Sequence, residues 1–185
     1  MIIDSSSLII FAKINKLDLL VKLYKKIEIT REIYRETVEE GLIIEAPDAK
    51  VIKKFIDEGK IKIVELKDKY KRISQELARI YPQIEIGESS AISLCLQEEN
   101  KTLIIDEANA RKVAKQYRLR PIGSLRVLLD SYKNNIIEEA ELKQVIGEMV
   151  NNKFRLSGDV VNEFWNIFDK IKRRLILRIN APTRN

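Results

Sequence analysis

The side chains that could do chemistry in this sequence are carboxylates, and several sit where apolar neighbours make a charge expensive. In residues 84–111, IEIGESSAISLCLQEENKTLIIDEANAR, a helical pattern opens at Gly87-Glu88 and gives way to an apolar strand over 102–105. Glu88 stands before Ala91, Ile92 and Cys95 at spacings that share one helix face, and that face is apolar. A carboxylate there is costly unless it is paired or binds a metal. Asp106 and Glu107 follow where the strand ends, and Asp4 follows the apolar run 1–3 in the same way. Ligands of a parallel sheet bind outside the carboxyl ends of its strands, so Asp4 and Asp106 are expected to converge on one rim. With Glu88 they form an oxygen-only set suited to Mg²⁺ or Mn²⁺, and without a cation they would repel one another. Ser6, two residues after Asp4, either steadies that carboxylate or is simply a first-turn helix residue. Each acid also has an ordinary reading. Asp4 and Asp106 could be helix N-caps, Glu107 and Arg111 an i,i+4 pair, and Glu88 a partner of the helix dipole.

The elements that must position these groups alternate. Strands are predicted over 1–3, 27–29, 60–66 and 102–105, and a short strand or extended link over 120–122. Helices are predicted over 5–14, 16–24, 31–40 (capped by Thr30 and closed by Gly41), 48–59, 68–80, 87–99, 108–118, 125–133 and 138–150. A last helix, capped by Ser157, carries Val160, Val161, Phe164, Trp165, Phe168 and Ile171 as its apolar stripe. Residues 180–185 are expected to fray. This order implies an α/β fold of three layers, α/β/α, with a central parallel sheet and additional C-terminal helices. On the wheel of 31–40, Glu36 falls roughly 130° from the apolar centre, so periodicity makes it solvent-facing.

Composition excludes much. The 185 residues hold no histidine and one cysteine. That removes Ser-His-Asp and Cys-His catalysis, imidazole or cysteine zinc sites, and any intrachain disulfide. Cys95, on the apolar face, reads as a core residue. No apolar run approaches a membrane span and the N-terminus lacks a basic leader region, so a cytoplasmic protein is expected. The net charge is +6, and residues 151–185, with 8 Lys/Arg against 3 Asp/Glu, carry +5 of it. Such an excess suits nucleic acid and equally a solvated face.

The segments IIDSSSLI, IYRETVEEG, IGESSAISL, LIIDEANARKVA and PIGSLRVLL, in this order and spacing, resemble the PIN domain. The resemblance is to its stand-alone prokaryotic branch, which includes VapC-like toxins and uncharacterised relatives. It covers about residues 1–133, and NNKFRLSGDVVNEF is similar to that branch's C-terminal helix hairpin. It implies a PIN-like nuclease domain over 1–150 with a helical extension, 151–180, packed on it. It implies a Mg²⁺- or Mn²⁺-dependent endoribonuclease hydrolysing RNA phosphodiester bonds, acting as the toxin of a type II toxin–antitoxin pair. A cognate antitoxin and a homodimer are the implied partners besides RNA. Carried over by position, the catalytic acids are Asp4, Glu36, Glu88 and Asp106, with Glu107 beside them and Ser6 as the hydroxyl after the first acid. Two positions depart from the family pattern: Glu107 stands where a second Asp is frequent, and Ser90 where another acid is. The fourth metal ligand is therefore Asp106 or Glu107.

On this reading metal-bound water attacks the phosphate in line. Arg111, Lys112 and Lys115 are candidates to hold the RNA backbone, with a solvated helix face as their plain reading. The competing reading is a PIN-fold module that binds RNA or a protein without cutting. A phosphotransfer enzyme with an aspartyl nucleophile would need a second acid close after Asp4 or a lysine at a strand end. Ser5-Ser6-Ser7 and Gly123-Ser124 stand there instead, and no glycine-rich phosphate loop is present.

Overall fold

A computed structural model describes residues 1–154 and 156–179. The expected fraying of 180–185 lies outside the described residues. The chain begins with β1 (Ile2–Ile3), α1 (Ser5–Lys13), α2 (Leu17–Tyr24) and β2 (Ile27–Thr30). Next come α3 (Arg31–Tyr34), a π-helical turn (Arg35–Glu39), α4 (Glu40–Ile43), α5 (Pro47–Asp57) and β3 (Ile61–Val64). Then follow α6 (Asp68–Ile80), α7 (Ile86–Gln97), β4 (Thr102–Ile104), α8 (Ala108–Gln116) and β5 (Arg120–Ile122). The last elements are α9 (Ser124–Lys133), α10 (Glu139–Asn151) and α11 (Gly158–Ile179).

The strands are short and rich in isoleucine; β1 and β2 are buried throughout and β4 at Leu103 and Ile104, as strands covered on both faces must be. They form one all-parallel sheet in the order β3-β2-β1-β4-β5, flanked by helices in the expected three-layer arrangement. Ile2 is in register with Glu28 on one side and Leu103 on the other, and Ile3 with Ile104. From β1 the chain steps outward to β2 and β3. It then returns past β1 to β4 and continues the opposite way to β5. Neighbouring strands β1 and β4 thus send their connections in opposite directions. The crevice at their carboxyl ends is the topological switch point of the sheet.

Two local expectations change. The helix predicted over 31–40 does not stop at Gly41: it runs to Ile43 and is widened at Arg35–Glu39 into a π turn. A π turn holds an extra residue, which shifts the phase of every side chain beyond it and voids the wheel used for Glu36. Helix α7 has no separate polar face either, because residues 87–95 are all buried, Ser89, Ser90 and Ser93 included. The serines take local partners where they can. Ser90 Oγ donates to Gly87 O at 2.8 Å and meets Thr30 Oγ1 at 2.7 Å. Cys95, in the same helix, has its thiol pushed up to about 12 by burial, which suits a core residue and not a nucleophile.

The chain divides into two compact units, Met1–Ser124 with the sheet and Leu125–Asn185 with the last helices. In the second unit, Tyr132 of α9 stacks on Phe168 of α11 with centroids 4.8 Å apart, and Trp165 meets Phe164 and Phe168 edge-on. Lys172 of α11 pairs with Glu139 of α10 at 2.6 Å. The expected apolar stripe of α11 is buried at Phe164 and Phe168 and exposed at its start, at Val160. Ser157 caps it, accepting from Val160 N at 3.4 Å.

Candidate active site

Asp4 is where β1 becomes α1. Its backbone N–H donates to Ile104 O at 3.0 Å, which ties it to β4 as the strand ends. Its carboxylate caps α1, accepting from Ser7 N at 2.9 Å, and receives the Ser6 hydroxyl at 3.0 Å. The ordinary capping role and the rim position are therefore the same placement. The side chain is fully buried. Burial raises its pKa to about 7 and the charge of Asp106 adds to the rise, while the Ser7 and Ser6 hydrogen bonds oppose it.

Asp106 leaves β4 beside it. One oxygen accepts from Ser124 N at 2.8 Å. The other takes the hydroxyls of Ser7 at 2.9 Å and Ser124 at 2.5 Å. It is not the cap of the following helix. Glu107 has that role, accepting from Ala110 N at 2.8 Å. Nor does Arg111 pair with Glu107, since its guanidinium donates to Ile105 O at 3.0 Å, against the end of β4. Gly123 makes room for this packing: a Cβ there would stand 2.9 Å from Asp106 Oδ1 and 3.2 Å from Arg111 Nη1.

Glu88 comes from the first turn of α7 in a capping box, where it accepts from Glu85 N at 2.8 Å and the Glu85 side chain accepts in return. Burial raises its pKa to about 7, and the charges of Asp4 and Glu107 add to the effect. Glu36 projects from the π turn. It takes the Ser5 hydroxyl and the Gly87 N–H, and its pKa is raised first by burial and then by Glu85. A Cβ at Gly87 would lie 2.7 Å from Ser5 Oγ and 3.2 Å from Glu36 Cδ, so only glycine lets α7 approach this closely.

The structure thus puts Asp4 within electrostatic range of Asp106 and of Glu88, and Glu88 within range of Glu107. Glu36 stands with Glu85, linked to the rim through Ser5 and Gly87. The Ser6 hydroxyl donates to Asp4. Lys112 and Lys115 lie on α8 and are both exposed, and Arg111 is half-buried. Sequence reasoning passed over Ser5, Ser7, Ser124, Glu85, Gly87 and Gly123. An Ile-Gly pair precedes Glu88 and Ser124, but it also occurs at Ile146-Gly147, so it did not single out the two glycines.

A hard divalent cation suits the donor chemistry, which is oxygen throughout, and would relieve the two buried carboxylates held near 7. Among the described residues, however, no three Asp, Glu or Cys side chains stand close enough together to cage an ion. Asp4, Asp106, Glu88 and Glu107 are each held by hydroxyls or backbone N–H groups.

An α/β fold with its acids at the switch point of a parallel sheet defines the class. The PIN domain family model matches residues 1–170, and the chain belongs to that family, whose members are generally nucleases. No curated protein and no solved structure gives a significant match.

Proposed function

We propose that the protein is a Mg²⁺- or Mn²⁺-dependent endoribonuclease of the VapC-like kind, the toxin of a type II pair. The observation that carries this reading is the junction of Asp4 and Asp106 at the sheet's switch point, with Glu88 beside them, in a member of the PIN family. Asp4, Glu88 and Asp106 would hold the cation, with Glu107 as the alternative fourth ligand. The bound cation supplies a water acidic enough to attack a phosphodiester at neutral pH. The chain's own residues do the rest. Ser7 and Ser124 hold the Asp106 carboxylate, and Ser6 holds that of Asp4, so both present fixed oxygens to the rim. Glu36, oriented by Ser5, takes or steadies a proton beside the attacked phosphate. Arg111, Lys112 and Lys115 attract the RNA backbone from α8. With no histidine, proton transfer falls to carboxylates. A cytoplasmic location, a cognate antitoxin, a homodimer, a nuclease domain over 1–150 and a helical extension over 151–180 belong to the same reading.

The test is cleavage of single-stranded RNA in Mn²⁺ by the parent, Asp4→Asn and Glu88→Gln. Product from the parent and a loss of about 100-fold or more in each variant is expected, on the scale of removing a group that acts in the transition state. Equal rates in all three would overturn the mechanism. A second reading, a PIN module that binds RNA without cutting it, is favoured by the lack of a three-acid cage among the described residues. It predicts no product and no heat of Mn²⁺ binding by titration calorimetry.

A further inference from the structure

We infer that the carboxyl-terminal half of α11 is a single-stranded-RNA-binding stripe, separate from the residues that do the chemistry; this rests on RNA being the substrate. The starting point is the distribution of charge. Residues 151–185 carry 8 Lys/Arg against 3 Asp/Glu, while the rest of the chain is nearly balanced. Among the described residues, Lys172 is the cation of this segment with an ion-pair partner: it reaches Glu139 at 2.6 Å, and Glu139 also holds Lys143 at 2.7 Å. Lys170, Arg173 and Arg174 are exposed and take no ion pair among the described residues, although Asp169 is one turn before Arg173.

Their spacing gives the stripe its geometry. Positions 170, 173 and 174 are i, i+3 and i+4, and therefore neighbours on one helix face about 5–6 Å apart at Cβ. Lys172 lies round the helix from them and is engaged with α10. Three adjacent, unneutralised cations match a run of phosphates and offer no base-reading group, so the contact is sequence-independent. An anionic membrane is the other surface such a helix would suit, but membrane binding needs a free apolar face. On α11 Phe164 and Phe168 are buried in ring contacts with Tyr132 and Trp165, and the exposed large apolar residues, Val160 and Leu177, stand at opposite ends of the helix and form no continuous face. The observations favour the RNA strand.

The experiment measures binding of a fluorescein-labelled single-stranded RNA by anisotropy in EDTA, without turnover, across a salt series. The chains compared are the parent, the triple variant Lys170→Gln/Arg173→Gln/Arg174→Gln, and Lys170→Gln/Arg173→Lys/Arg174→Lys. Loss of three phosphate contacts makes the log–log salt slope shallower by about 2 and weakens binding about 100-fold at roughly 0.1 M salt. The lysine variant recovers most of both. The proposal is overturned if the triple variant binds with the parent's affinity and slope. It is overturned equally if the parent sediments with phosphatidylserine vesicles but leaves the RNA free. The cleavage reading fails separately: a parent that binds RNA through this stripe yet yields no product in Mn²⁺ keeps this inference and loses the nuclease.

Discussion

Ser7 joins Asp4 to Asp106. Its backbone N–H donates to Asp4 at 2.9 Å and its hydroxyl to Asp106, also at 2.9 Å, across 99 positions of sequence. One residue in the first turn of α1 therefore fixes the separation of the two strand-end carboxylates. Ser7→Ala keeps the backbone cap and removes only the hydroxyl. Asp106 retains Ser124, so the stability cost is about 1 kcal/mol in urea unfolding, the usual value of one hydrogen bond. The RNA-cleavage rate is expected to fall at least about 10-fold, since Asp106 becomes free to turn. A rate within twofold of the parent would show that the bridge is dispensable.

Stability should fall as pH rises. In the folded chain Asp4 and Glu88 titrate near 7, against 3.8 and 4.5 as ordinary carboxylates. Between those limits the folded state binds more protons than the unfolded one, so the folding free energy weakens from about pH 4 and levels off above about 7. Each pH unit that separates the folded from the unfolded titration of one group is worth about 1.4 kcal/mol, so the loss over this range is on the order of several kcal/mol. Urea midpoints from about pH 4.5 to 8.5 measure this, and Asp4→Asn should flatten the profile. A profile that rises over this range contradicts the burial of Asp4.

Millimolar Mn²⁺ should offset the loss. At about pH 8 both carboxylates are ionised and crowded, and a cation that binds only the folded state stabilises it by mass action. Thermal unfolding should move upward by several degrees in Mn²⁺ for the parent and not for Asp4→Asn. An equal rise in both chains would place the ion elsewhere.

Two glycine substitutions should have opposite signs. Around Gly147 in α10 nothing lies within 4 Å of the position of a Cβ. Gly147→Ala should raise stability by about 0.5–1 kcal/mol through helix propensity. Gly87→Ala drives a methyl against Ser5 and Glu36 and should cost about 1–3 kcal/mol as well as activity. Thermal melts of the two variants side by side give the answer. A gain in both would mean that α7 has slack against the π turn.

The sequence was most readable at the strand ends. Asp4 and Asp106 each close a buried apolar run, and the rule for ligands in parallel sheets needed nothing more to bring them together. Glu88 was legible from its spacing to Ala91, Ile92 and Cys95, all of them buried; the spacing did not reveal that α7 is buried on every side over 87–95, or that the carboxylate is held by the capping box with Glu85. Glu36 was beyond periodicity, since the π turn breaks the even angular step on which a helical wheel depends. The serines were hidden by their versatility. A hydroxyl after an acid reads as a local cap, and only the folded chain shows Ser7 and Ser124 converging on one carboxylate from distant points of the sequence.

The π turn also makes the length of one segment matter as much as its composition. Deleting a single residue between 35 and 39 would take out the extra residue and let Arg31–Ile43 wind as an uninterrupted α-helix. The segments on either side would keep their seats, and the bulge that presents Glu36 to Ser5 would be gone. A chain one residue shorter here could keep every acid of the rim and still lose their arrangement.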